Sequence, residues 1–433
     1  MRVSTGMIFD AGVSSINRQT ASLLHVQQQV AANRRILRPS DDPVAAARAL
    51  EVMQASDLVA QLKQNQESAT SAVGLEETQL TSVGEVLGRV RELAVQGGSA
   101  TLSKNDRKTI ATELRSRFDE LIGIANATDG TGQHIFSGYM GSTTPFGGTV
   151  EDILSFGSEI LYQGDDGQRK LQVSPTRFLG VSDSGNDVFK RIRNGNGYFA
   201  TNYAAGNSGT AVIDAAGGMT NPTTWNAATT KNVAVRFTVT AGVTTYDLVD
   251  TVSNNSLLTG AAAPALVASQ RVFQSGQPIV LKSQGAEPAF DLGASVTING
   301  APATGDSFSI APSASQSVFV TLAKLIGALE ATTGAAAANA RLSNDIGFAL
   351  TNLDQGIDNV LRIRAQIGSR MNEIESLGSL NDDVNLQYQQ TLSQLQDLDY
   401  AKSISDLTRM QVDLEAAQKS FTRISQLSLF NYL

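Results

Sequence analysis

Three acidic clusters are the first places to look for chemistry in this 433-residue chain. Asp41 and Asp42 stand between Ser40 and Pro43, with Pro39 just before. Asp165 and Asp166 precede Gly167, and Asp183 and Asp187 bracket Ser-Gly-Asn. Adjacent carboxylates could ligate a divalent cation, but a calcium loop needs further oxygen ligands at alternate positions and a closing glutamate. None of the three runs has that spacing. Each reads better as local structure. Asp42 suits an N-cap before Pro43 at the first helical position, and Asp41 adds an anion at the positive end of the helix dipole. Residues 165–167 suit a hairpin turn and 183–187 a polar loop. His25 and His134 are the two histidines. Neither has a nucleophile or carboxylate at a motif spacing, so neither is expected to act as a general base. No P-loop, dinucleotide fingerprint or zinc signature occurs. The expectation is a protein that is not an enzyme and carries no cofactor or metal.

Composition narrows the partners. The net charge of −8 repels polyanions, which argues against nucleic acid and anionic membrane surfaces. There is no cysteine, hence no disulfide or thiolate site. No apolar run is long enough to span a bilayer, so no membrane insertion is expected. The first residues lack a long apolar stretch, so no cleaved signal peptide is expected. Trp225 and Tyr246 could form a glycan platform in a secreted adhesin, but isolated aromatics are more often core.

With catalysis set aside, the informative pattern is apolar spacing. Phe9, Val13, Ile16, Leu23, Val30 and Leu37 fall on one helical stripe, and Leu407, Met410, Leu414, Ala417, Phe421 and Ile424 recur at intervals of three and four. Such seams need a partner, either each other or another molecule. Ordering an arm of about 40 residues costs on the order of 60 kcal/mol at ~1.5 kcal/mol per residue, whereas roughly ten apolar side chains return about 15–30 kcal/mol when buried. Two arms, 1–40 and 384–433, are therefore expected to order on neighbouring subunits. The expected assembly interface comprises Ile16, Leu23, Val30, Leu37, Leu407, Leu414, Phe421, Ile424, Leu427, Leu429 and Phe430. A closed intramolecular bundle is the competing reading.

Between the arms the chain changes character twice. Residues 1–130 read as helix, punctuated at 39–43 by the two prolines and at 96–99 by Gln-Gly-Gly-Ser, after which 103–106 resembles a capping box. Leu80, Val83, Leu87, Val90 and Ala94 form one stripe, and Ile110, Leu114, Phe118, Leu121 and Ala125 another. Residues 131–312 are rich in Gly, Thr, Asn, Ser and Val. Short strands are expected at 134–139, 159–162, 170–173, 233–239, 279–281 and 296–298, with a turn at 164–167 joining the second to the third. Helix returns near Ser315, passes an Ala-rich linker at 334–338, and is expected to break at 376–383 before a last helix from about 384 to 428. The fold class is α+β: a long antiparallel helical bundle built from both chain ends, with an inserted mainly-β domain. The arms are 1–40 and 384–433, the helical core with its β-hairpin is 41–175 and 313–383, and the outward-facing β domain is 176–312.

Residues 35–46, Arg-Ile-Leu-Arg-Pro-Ser-Asp-Asp-Pro-Val-Ala-Ala, set in this helix–strand–helix order, resemble the bacterial flagellin family. So do Met-Arg-Val-Ser-Thr at 1–5, Phe-Ser-Gly-Tyr at 136–139 and the stretch 424–433. The likeness covers both helical thirds and fades over 176–312. Asn33 stands where the family commonly has glycine, and asparagine tolerates the same positive φ. The resemblance implies a structural part of the bacterial flagellum outside the cell, reached by type III export without a cleaved signal. Pro39, Ser40, Asp41, Asp42 and Pro43, with Phe-Asn-Tyr-Leu at 430–433, point to the branch that joins hook to filament, flagellin itself being the runner-up. The implied partners are hook-associated protein 1, flagellin, further copies of the chain in a ring or short helical zone, and a cytoplasmic export chaperone.

Overall fold

The computed structural model describes residues 5–157 and 159–426. Two compact units are present: residues 1–67, 172–176 and 375–433, and residues 68–171 and 177–374. The helices are α1 (Thr5–Ala32), α2 (Pro43–Gly97), α3 (Lys104–Ala125), α4 (Val150–Phe156), α5 (Pro222–Ala227), α6 (Val318–Ala331), α7 (Ala336–Gln396) and α8 (Tyr400–Gln426). Strands of four or more residues are β1 (Lys170–Ser174), β2 (Arg177–Gly180), β3 (Phe199–Tyr203), β4 (Val233–Thr240), β5 (Val243–Asp250), β6 (Pro278–Lys282), β7 (Asp291–Asn299) and β8 (Ser307–Pro312). Helix, inserted β region, helix is thus the order, as the sequence predicts.

The second unit holds the core. Leu80, Val83, Leu87, Val90 and Ala94 of α2 are buried, and so are Ile110, Leu114, Phe118, Leu121 and Ala125 of α3. Val318, Leu322, Leu325 and Leu329 of α6 join them. At the base lies an aromatic cluster in which Phe319 sits 5.3 to 5.9 Å, centroid to centroid, from Phe118, Phe146 and Phe189. Gly97 ends α2 where a Cβ would lie 2.8 Å from Leu329, so the chain turns against α6 at a point too tight for a side chain. Ser103 caps α3 as expected, with reciprocal bonds to Asp106. Ser103→Ala should cost about 1 kcal/mol, read as a lowered urea midpoint at unchanged m-value.

The β region is two antiparallel sheets. In the six-stranded one the order is β3, β8, β4, β5 and the two-residue strand Asn255–Ser256, with Arg271–Val272 also paired to β5. The other joins β6, β7 and the short strands Val212–Ile213 and Gly218–Met219. Alternation sends Val233, Val235 and Phe237 inward from β4, to meet Phe308 and Ile310 from β8 and Ile279, Leu281, Val296 and Ile298 from the second sheet. Trp225 and Tyr246 belong to this core and are buried, so they form no exposed glycan platform. Just outside it, Ile192–Arg193 pairs antiparallel with Ser315–Gln316, so the strand entering the β domain lies beside the strand leaving it.

Four expectations are corrected. Residues 376–383 do not break the helix; α7 runs through them, because Gly378 is the single weak breaker and no proline follows. The interruption falls instead at 397–399, where the Asp399 carboxylate accepts the Lys402 N–H at 3.1 Å and starts α8. Residues 134–139 form turns rather than a strand, with Gly138 at φ +69° and Asp165 accepting the Tyr139 N–H at 2.9 Å. Leu161–Tyr162 pairs with Phe146–Gly147, while β1 pairs with β2, so 164–167 does not close a hairpin. The Ala-rich linker is shorter than expected, since α7 begins at Ala336.

Candidate assembly interface

The predicted seams face each other. Phe9 of α1 packs on Phe421 of α8 with centroids 5.0 Å apart, and Tyr400 at the other end of α8 donates its hydroxyl to the Val30 carbonyl at 3.2 Å. The two helices therefore run antiparallel. Gly12 lies directly under Phe421, where a Cβ would be 2.7 Å from the ring. Ile16, Leu23, Val30, Leu407, Met410, Leu414, Ala417 and Phe421 are all half-buried along this line.

None of them is fully buried, and that defines the surface. Among the described side chains, no apolar residue of α1 or α8 is fully buried. Met7, Leu24 and Val412 are 64, 51 and 60 % exposed, and Phe9, Val13 and Ile404 are exposed as well. A two-helix ribbon has one seam and leaves the rest of its apolar surface in water. Soluble proteins seldom leave such a stripe uncovered unless something docks there. Ile424 lies in the last turn of α8, and Leu427, Leu429 and Phe430 lie outside the described residues.

The stretch that leads from α1 to α2 is a built corner. Asn33 takes φ +52°, the left-handed region that asparagine tolerates. Leu37, the last seam position, sits half-buried beyond this bend rather than on α1. Arg35 then ties the corner to the end of α7: its backbone N–H donates to the Gln396 carbonyl at 2.7 Å, and its guanidinium to the Leu395 carbonyl at 2.8 Å and to Asp42 at 3.1 Å. Asp41 accepts from the backbone N–H of Leu37 and Arg38. Asp42 accepts from that of Ala45 and so caps α2, with Pro43 its first residue. The Arg38 N–H holds the Asp41 carboxyl below the usual range, and the Ala45 N–H with Arg35 does the same for Asp42. Both carboxylates are occupied by capping. Pro39 and Ser40 lie exposed at the tip.

The remaining candidates have local roles. His134 Nδ1 is bonded to the Asn126 carbonyl at 2.7 Å, and His25 is half-buried on α1. Asp183 is held by both terminal nitrogens of Arg370, each at 2.9 Å. Asp166 and Asp187 pair with Arg191. Arg35, Gly12 and Tyr400 were not singled out by spacing. The basic residue two places after a left-handed asparagine, and a glycine opposite a ring in the other seam, were the available signals.

Residues 3–140 match the family model of the bacterial flagellin N-terminal helical region. The chain's full-length likeness is to one branch of that family. It is 25% identical to flagellar hook-associated protein 3 of Escherichia coli (strain K12), over 99% of both chains. It also resembles the crystal structure of flagellar hook-associated protein 3 from Legionella pneumophila, at 28% identity and a TM-score of 0.69, covering 79% of this chain and 98% of that one. Likeness to filament proteins is confined to part of the chain; with the flagellar filament 41 kDa core protein of Borreliella burgdorferi it is 30% identity over 30% of this chain and 41% of the other. The protein is a flagellar component.

Proposed function

We propose that the protein is the adaptor at the hook–filament junction, and that its two arms complete their fold on neighbouring subunits. The observation that carries this reading is the α1–α8 ribbon, with one half-buried seam and a row of exposed apolar side chains. Burying a large apolar side chain returns about 1.5–3 kcal/mol, so covering Met7, Phe9, Leu24, Ile404 and Val412 supplies assembly with a driving force absent from the free chain. Arms 1–40 and 384–433 are then the surfaces that neighbours cover. Hook-associated protein 1 on one side and flagellin on the other are the partners, with further copies of this chain between them. A cytoplasmic chaperone would shield the same apolar surface before export to the cell exterior without a cleaved signal. The role is structural rather than catalytic.

Amide hydrogen exchange tests the coupled folding. In the dilute free chain, α1 and α8 should exchange with protection below about 2 kcal/mol, while α3 and α6 report most of the global stability. In assembled flagella both arms should become protected. Full protection of α1 and α8 in the dilute monomer would overturn the mechanism. A tag in the β domain should label a single band between hook and filament; a label along whole filaments would instead favour a flagellin.

A further inference from the structure

The strands β3 and β8 carry large residues toward the core and small ones away from it. Phe199, Phe308 and Ile310 are buried in the core, whereas Ala200, Ser309 and Ala311 line a groove together with residues of α6 and α7. The groove has a volume of about 550 Å³ and is walled by these strands, by Thr321 and Lys324 of α6 and by Asp345, Phe348 and Asn352 of α7. Its size falls within the range of small-molecule sites. Polar and aromatic contacts bridge its walls. The Tyr203 hydroxyl bonds both oxygens of Asp345 at 3.0 and 3.1 Å, the Gly195 N–H donates to Asn352 at 2.9 Å, and Tyr203 stacks on Phe348 at 6.1 Å.

The lining chemistry selects a ligand class. One ammonium, Lys324, and one carboxylate, Asp345, face the space, and no ion pair joins them. The wall therefore has no surplus of positive charge, which a phosphate or nucleotide would require. A purely apolar ligand would strand the amides of Asn202, Gln316 and Asn352 without water. Side-chain amides and hydroxyls offer donors and acceptors together, matching a ligand whose own groups are hydroxyls. We propose that this groove binds an uncharged saccharide of one or two rings. The sugar could be free in solution or the terminal unit of a surface glycan.

Saturation-transfer NMR and calorimetry on the full-length chain test this, with maltose, cellobiose, lactose and N-acetylglucosamine as free probes and the same units immobilised on a glycan surface. Saturable binding of at least one probe is expected. Ala311→Leu, which fills the groove, and Asn202→Ala, which removes an exposed amide and leaves the core untouched, should each weaken it at least tenfold. Binding of free sugars identifies a soluble ligand, and binding of immobilised units alone identifies a surface glycan. No binding in either format, binding insensitive to both substitutions, or stronger binding of glucose 6-phosphate than of glucose would each overturn the proposal.

Discussion

Removing residues 406–433 is expected to take incorporation into the flagellum from normal to undetectable while leaving the buried core of residues 68–374 intact. The cut strips α8 of Leu407, Leu414 and Phe421, the half-buried line on which Phe9, Gly12 and the rest of the α1 seam pack. Without it α1 is a lone amphipathic helix whose apolar stripe has nothing beneath it, and an isolated helix in water is marginal. Both arms are lost by deleting one. The truncated chain should stay soluble and keep its near-native thermal transition, because the cluster around Phe118 and Phe319 draws on no residue of α8. Phe421→Ala should give a graded version, costing the ribbon about 1–2 kcal/mol, since the ring is only half-buried. The measurement is incorporation of the truncated chain in cells lacking the full-length one. Flagella of normal number and length would sink the coupled-folding mechanism.

The second large effect concerns Glu76, a fully buried carboxyl on α2. Its Oε1 accepts the Asp183 N–H at 2.9 Å, and its Oε2 has no partner among the described residues. Burial is the main cause pushing its pKa up, to about 8, and the Asp183 carboxylate adds to it; Arg370 and Arg169 pull the other way. An acid whose folded pKa lies above its unfolded value near 4.5 binds its proton more tightly in the folded chain. Its stabilising contribution is therefore complete below about pH 4.5 and is lost as pH rises to about 8, at roughly 1.4 kcal/mol per pH unit, after which it is flat. Glu76→Gln keeps the shape and cannot ionise. The variant should match the parent near pH 4 and exceed it by on the order of 5 kcal/mol at pH 9. Urea unfolding of the full-length chain at pH 5, 7 and 9 gives the comparison. If the difference between variant and parent does not change with pH, Glu76 is not held neutral in the fold.

Much of this architecture was legible from residue order, for identifiable reasons. Capping signals are local, and Asp42, Pro43 and Ser103 act where the sequence places them. Seams with a strict repeat are nearly local, and the half-buried line from Ile16 to Val30 meets the line from Leu407 to Phe421 as periodicity implies. Strands with clean alternation, such as β4, were also visible. What the sequence hid depends on distant partners. Gly378 and its polar neighbours look like a break, yet the helix continues, since local propensity is weak beside the rest of a 61-residue helix. The partner of Leu161–Tyr162 is Phe146–Gly147, a choice made by the chain around Phe136 and Asp165 and not by the nearest turn. Nothing in the sequence marks the partner of Glu76; only the fold reveals that the Asp183 backbone meets it inside.

The pairing of Ile192–Arg193 with Ser315–Gln316 has a consequence for how such a chain can diversify. The polypeptide departs from the helical scaffold and rejoins it through two strands laid side by side, so the intervening domain is covalently joined at one paired stem and held to α7 by further contacts such as Tyr203 to Asp345. A graft at that stem can lengthen, shrink or exchange the intervening domain while the scaffold sees the same two ends at the same spacing. That geometry leaves the sequence of residues 194–314 freest to drift where it does not touch α7, while positions such as Tyr203 and Asn207, which bond Asp345 and Arg341, stay tied to the helices.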